Sequence, residues 1–309
     1  MGHHIEAGCC MTTCNRKLGP WLLGAATVLM FVVGCILFLS GMPLAAQEGE
    51  LRNEPPKGMT VDQIIQRFAA KEKEFKQARE NYTWRQDVRV QTLDGNTVDG
   101  EYRNVFDVVF DDKGRRTEQI VFAPQDTLQR IQMTREDLDD IENRMPFTMT
   151  SDDLPEYDVK YLGQQKEDEL TTYVFDLSPK KIDKGKRYFE GRIWVDDHDL
   201  QIVKTYGKNV PDLINGKPVN EMSEKKRKSA EQENLFPKFT TWREQIDGRY
   251  WFPTYTKVDD VLHFQMNDVH IRQVIKYTNY KRFGSKSRIT FEGQEISTKP
   301  DEKPQNPPK

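Results

Sequence analysis

From Tyr82 onward the chain repeats with a period of two, and this repeat restricts the fold more than any other feature. Tyr82, Trp84, Val88 and Val90 alternate with Arg85, Asp87 and Arg89. After a turn at Asp94-Gly95, Tyr102, Phe106, Val108 and Phe110 alternate again. Successive side chains of a strand point to opposite faces, so each such run buries one face and wets the other. Asp111-Asp112-Lys113-Gly114 marks the next turn, and further strands are predicted at Glu118–Phe122, Tyr157–Leu162 and Thr172–Leu177. Spacing this regular predicts one large antiparallel sheet.

Two hairpins carry a register. Phe189–Tyr206 turns at Asp196-Asp197-His198-Asp199, which pairs Val195 with Leu200 and Ile193 with Ile202 on one face, with Trp194 on the other. Val258–Phe283 turns near Met266-Asn267 and pairs Phe264 with Val269. Val269, Ile271, Ile275 and Tyr277 then share one side, and His270, Arg272, Lys276 and Arg282 the other. Asp247-Gly248 opens another turn before Tyr250-Trp251-Phe252.

Helical spacing occurs twice. Thr60-Val61-Asp62-Gln63 has capping-box spacing, and Val61, Ile64, Ile65, Phe68 and Phe75 fall on one face after it. Midway along the strands, Thr134 caps a short helix in which Leu138, Ile141 and Met145 share a face and Pro146 ends the run. Lys208–Glu233 is charged throughout and reads as a loop between strands. Residues 47–59, with Pro55-Pro56, read as a polar linker, and 284–309 as a polar, Pro-rich, disordered tail.

The segment before that linker has no charge between Leu18 and Gln47 and follows Arg16-Lys17. Three readings stay open for residues 1–46. A signal peptide would be cleaved after Ala46. An uncleaved helix over residues 21–44 is long enough to cross a bilayer, which takes ~20 apolar residues, with Arg16 and Lys17 kept inside. Val32-Val33-Gly34-Cys35 also looks like a lipobox, although Ile36-Leu37-Phe38-Leu39 would then stand where a polar linker is usual. Met1 and Met11 both serve as possible starts. Each reading directs the remainder across the inner membrane into the periplasm, where an uncleaved helix would keep it anchored to that membrane.

The exported part is poor in chemistry. All four cysteines, Cys9, Cys10, Cys14 and Cys35, precede the cleavage point, which leaves no disulfide, thiol nucleophile or cysteine metal site after it. A net charge of −3 does not supply the concentrated basic face that nucleic acid requires. Phosphate-loop, G-x-S-x-G and H-E-x-x-H motifs are missing. Asp196-Asp197-His198-Asp199 clusters carboxylates, but it lacks EF-hand spacing and suits an ordinary hairpin loop. His263 and His270 become cross-strand neighbours in the register above; a zinc or copper site there needs a third ligand, and a solvated pair is the simpler reading. No cofactor or resident metal is expected. What remains is a surface: many strands present one wide apolar face, with two short helices to cover it.

The order of these elements resembles the LolA/LolB-like family of outer-membrane lipoprotein-sorting proteins. Gly191-Arg192-Ile193-Trp194-Val195-Asp196 with Leu200-Gln201-Ile202-Val203-Lys204 looks like that family's strand–Trp–Asp-turn–strand segment, and Ile271-Arg272 and Tyr277-Thr278-Asn279-Tyr280 fit its closing strands. The resemblance spans residues 60–283. It implies an α+β half-barrel: a strongly curved antiparallel sheet with an N-terminal helix and a short inserted lid helix. It implies a non-enzymatic carrier for lipid or lipoprotein acyl chains, with a cavity expected at Trp84, Val88, Phe106, Val108, Phe110, Ile193, Ile202, Ile271 and Ile275. The expected lid carries Leu138, Ile141 and Met145. In the family an arginine helps hold the lid, and Arg85, Arg89 and Arg103 are possible counterparts. The alternatives are an envelope protein-interaction or stress-sensing module on the same fold, and a metal-dependent enzyme built on His263 and His270.

Overall fold

The structure is a computed structural model that describes residues 48–111, 115–214, 217–230, 235–264, 266–283, 290–291 and 294–295. The signal peptide or anchor expected over residues 1–46, and nearly all of the expected tail, lie outside these residues. Among the described residues no helix is long and apolar enough to cross a membrane.

The chain enters through helix α1 (Val61–Arg79) and runs into strands β1 (Tyr82–Asp94), β2 (Thr97–Phe110) and β3 (Arg116–Phe122). A long connection then carries the short helix α2 (Arg135–Asp139), which continues as a π turn over Asp140–Arg144. Next come β4 (Tyr157–Glu167), β5 (Leu170–Pro179), β6 (Tyr188–Asp196) and β7 (Ile202–Val210). The charged stretch after β7 is not one open loop. It forms a small hairpin, β8 (Leu213–Ile214) with β9 (Lys217–Pro218), and a helix, α3 (Glu224–Ala230). Strands β10 (Phe239–Ile246), β11 (Tyr250–His263) and β12 (Asp268–Arg282) follow. A last pair, β13 (Thr290–Phe291) and β14 (Gln294–Glu295), stands apart.

Ten strands form one sheet in the order β3-β2-β1-β12-β11-β10-β7-β6-β5-β4, with every pair antiparallel. The first and last long strands, β1 and β12, are therefore neighbours, the third and fourth strands from the β3 edge. β3 and β4 are the two edges, so the connection between them must cross the whole sheet, and it does so over the apolar face. One buried cluster joins Val108 of β2, Ile275 of β12, Ile193 of β6, Phe175 of β5 and Tyr157 of β4 to Phe68 of α1. A ten-stranded sheet reaches a common core in this way by coiling, as twisted sheets of that size do. The fold is thus α+β, an open half-barrel wrapped around α1 and the crossover.

The capping box at Thr60 is present: Gln63 N donates to Thr60 Oγ1 at 3.2 Å and Thr60 N donates to Gln63 Oε1 at 3.0 Å. The face it orients buries Ile64, Phe68, Ala69, Glu72 and Phe75, whereas Val61 and Ile65 are half-buried. Alternation in β1 and β12 matches the burial read from sequence, including Trp194 of β6 on the outer face with Val174 and Val203.

Both hairpin registers differ from the expected ones. Val195 pairs with Ile202 and Trp194 with Lys204, around a bulge. The cause is the loop: Asp196 Oδ2 accepts the amides of His198 (3.2 Å) and Asp199 (2.6 Å), and Leu200 takes a positive φ of 53°, which widens the turn. At the other hairpin Leu262 pairs with Val269 and His263 with Asp268, because Phe264 N donates to Asn267 O at 3.0 Å and so sets the turn one residue earlier than expected. Residues 48–52, read as part of a linker, run along the β4 edge: Gly49 N donates to Lys166 O and Arg52 exchanges two backbone bonds with Gln164. An exposed edge is a template for stray pairing, and this segment occupies it.

Candidate functional site

At the end of the half-barrel where β1, β7 and β11 finish and β10 and β12 begin, a cavity of about 350 Å³ lies under the crossover. Its strand wall includes Val90, Phe239, Leu262, Ile271 and Gln273; the crossover supplies Ile131, Met133, Ile141 and Met145; Leu235, Phe236 and Pro237 close the side. The lining is predominantly apolar, and Asn209, Gln273 and Asp140 are among its polar groups. This composition suits an apolar ligand.

The lid is built locally and then fastened at a distance. Thr134 Oγ1 accepts the Asp137 amide at 3.2 Å, and Asp137 Oδ2 accepts the Thr134 amide at 2.8 Å, so α2 opens with a capping box. The π turn that follows keeps Ile141 and Met145 pointing at the sheet, both buried, while Leu138 is half-buried. Met145 is held twice: Thr241 Oγ1 donates to its carbonyl at 3.1 Å, and Gln273 Nε2 reaches its Sδ at 3.1 Å.

The strongest fastening is an ion pair. Arg187 Nη1 lies 2.6 Å from both carboxylate oxygens of Asp140, and each side chain is 7% exposed. Arg187 also donates to the Asn209 carbonyl at 3.3 Å and stacks 4.9 Å above the Phe236 ring. It stands just before β6 and joins the lid to the strand wall. Arg85, Arg89 and Arg103 do not take this role. They pair with Asp107, Glu101 and Asp87 along β1 and β2, half-exposed on the outer face.

Of the residues expected to line the cavity, Ile271 does so, and the lid residues Ile141 and Met145 face it. Val88 and Phe106 border a separate void of about 40 Å³ beneath Leu138 and Ile141. Trp84, Val108, Ile193, Ile202 and Ile275 are packed into the core, with Phe110 half-buried against it. They share the expected face, but α1 and the crossover already cover them. The residues that sequence reading missed are Arg187, Asp140 and the strip 235–237. Leu235-Phe236-Pro237 carried a visible signal, an apolar strip ending a charged insertion. Arg187 carried none, since its partner is 47 positions away.

The metal alternatives find other partners. The Asp196, His198 and Asp199 ligand atoms lie within 4.8 Å of one another. Asp196 is spent on loop amides, and Asp199 accepts Trp251 Nε1 at 3.1 Å and Gln245 Nε2 at 3.0 Å. His263 and His270 are not directly paired; His263 Nδ1 meets Asp268 at 2.9 Å and His270 Nε2 meets Asp259 at 2.7 Å.

No family model and no curated protein matches the chain. Solved structures similar to it include a DUF1329 family protein from Desulfovibrio piger, 14% identical with a TM-score of 0.35, covering 70% of this chain and 92% of that one. The LolA superfamily protein NE2245 from Nitrosomonas europaea is 15% identical with a TM-score of 0.31, over 74% and 95%. An outer membrane lipoprotein-sorting protein domain from Vibrio parahaemolyticus is 10% identical with a TM-score of 0.32, over 70% and 93%. The architecture itself stands on the strand order and registers described above.

Proposed function

We propose that this chain is a non-enzymatic envelope protein, exported to the periplasm, that holds the apolar chain of a lipid or acylated partner beneath a latched lid. The observation that carries this reading is the apolar cavity of about 350 Å³ closed by the Arg187–Asp140 pair. Binding there needs no catalytic group: each methylene withdrawn from water contributes ~0.8 kcal/mol. The latch resists opening because two opposite charges held away from water must be separated. Ile141 borders both the large cavity and the small void beside Val88 and Phe106. Movement of that one side chain would join them and extend the site along the face that carries Trp84, Val108, Phe110, Ile193, Ile202 and Ile275.

Native mass spectrometry of the protein purified from a bacterial envelope, followed by organic extraction, tests the reading. A stoichiometric lipid or acylated peptide is the expected result. A folded protein that stays empty when offered acyl chains overturns it. Substituting Val108 by Asp is a poor test, since Val108 is 0% exposed and a charge there would cost the fold.

A second reading, a protein-interaction module, draws on the opposite edge of the sheet. Ile120, Val121 and Phe122 of edge strand β3 are 70%, 47% and 48% exposed. An unpaired edge with apolar side chains is where a partner adds a strand.

A further inference from the structure

A second pocket, of about 480 Å³, adjoins the apolar cavity between the last turn of α1, residues 146–148 and the starts of β4 and β6. Its walls include Lys76, Arg79, Phe147, Tyr157, Tyr188 and Asn209. Asn209 borders both spaces, and the Arg187–Asp140 pair stands between them, with Arg187 on this side and Asp140 on the other. The carboxylates here are already engaged: Asp153 accepts the Thr150 amide and hydroxyl, and Glu156 pairs with Lys186 at 3.1 Å.

Arg79 is different. Its Nε is buried, and among the described residues its side chain makes no hydrogen bond or ion pair. Its guanidinium rests 6.0 Å from the Phe75 ring. Burial and the neighbouring Arg243 both work against its charge. Arg79 as a whole is half-buried, and Glu72 offsets part of the repulsion from Arg243 without touching the guanidinium. A polar group left unmatched at a pocket wall marks a position for a partner that arrives from outside. Lys76, exposed on the same helix, adds a second uncommitted charge at the rim.

We propose that this pocket receives the anionic head group, phosphate or carboxylate, of a single-chain amphiphile whose tail occupies the apolar cavity beyond the Arg187–Asp140 pair. This rests on the reading of that cavity as an acyl site. The restriction to one chain follows from its volume, which is near the lower end of the ~300–1,000 Å³ usual for ligand sites. The guanidinium supplies the charge-assisted hydrogen bonds that such head groups take best.

The test uses the full chain and displacement of a fluorescent apolar probe by lauryl phosphate, by uncharged monolauroylglycerol, and by inorganic phosphate. Lauryl phosphate should bind at least about tenfold more tightly than monolauroylglycerol. Arg79→Met should erase that preference and leave monolauroylglycerol affinity unchanged, with a melting temperature at or above that of the parent. Lys76→Gln, at an exposed position, should reduce the preference by a smaller factor. Equal affinities in the parent, or equal weakening of both ligands by Arg79→Met, would overturn the head-group assignment while leaving the acyl site intact. Failure of both lipids to displace the probe would overturn the acyl site itself. Thermal stabilisation by inorganic phosphate that matches lauryl phosphate would identify a free-anion site and sink the amphiphile.

Discussion

Glu72 of α1 and Arg243 of β10 form an ion pair sealed from water inside the half-barrel, with Arg243 Nη1 3.0 Å from Glu72 Oε1 and side chains 0% and 1% exposed respectively. The same carboxylate accepts the Ile202 amide of β7, and Arg243 Nη2 donates to the Phe147 carbonyl of the crossover. One pair thus ties helix, sheet and crossover together. Arg243→Met should cost about 3–5 kcal/mol in urea unfolding, because it strands a buried carboxylate. Glu72→Leu with Arg243→Met should recover most of the loss, and simple additivity of the two changes would refute the coupling. Burial already holds Glu72 above the usual carboxylate range. The native state of Arg243→Met therefore favours protonated Glu72, so its stability is greatest below the unfolded value and falls as pH rises through the elevated folded one.

Breaking the latch should loosen the lid. Arg187→Met should accelerate entry and exit of an apolar dye by about tenfold or more, at a stability cost of roughly 3 kcal/mol for the broken buried pair. Stopped-flow fluorescence reads the rates. Unchanged rates in a folded variant would show that the crossover does not gate the cavity.

Alkaline pH should act through Tyr277. Its hydroxyl lies 3.2 Å from Thr256 Oγ1, and burial pushes its pKa up to about 12. The unfolded chain ionises this group near ~10, so stability falls as pH climbs from there toward the folded value. Two units correspond to about 2–3 kcal/mol. Tyr277→Phe should remove that part of the slope in denaturation at pH 9–12; an identical slope in both proteins would assign the loss to other groups.

The β3 edge should be separable from the cavity. Ile120→Lys places a charge on a 70% exposed side chain, so stability should change by less than about 0.5 kcal/mol. If β3 docks a partner strand, cross-linking to that partner in envelope preparations should disappear while lipid loading persists. Retained cross-linking would remove β3 from consideration.

Local signals carried most of the fold. Thr60 with Gln63, three residues apart, and Thr134 as a cap announced two helix starts, and alternation placed Trp84, Val88 and Ile275 on the buried face. Register failed where a side chain reshaped a loop, as Asp196 does by taking two amides. The site was least legible because it depends on distant partners. Arg187 meets Asp140 across 47 positions, and Arg243 meets Glu72 across 171. Nor did periodicity reveal that α1 and the crossover fill most of the concave face, leaving the cavity at one end.

The pairing of β1 with β12 also orders events during synthesis. Val88 of β1 has Ile275 as its cross-strand partner, so one side of β1 stays without its neighbour until nearly the whole domain has been synthesised. The strands from β4 to β11 can zip as successive hairpins, but the seam between β1 and β12 can only be sewn last. Contacts of such long sequence separation slow folding and prolong the exposure of open edges. A chain with this topology therefore spends its most vulnerable interval as two unjoined sheets, β1 to β3 on one side and β4 to β11 on the other, and its yield depends on how quickly β12 arrives to unite them.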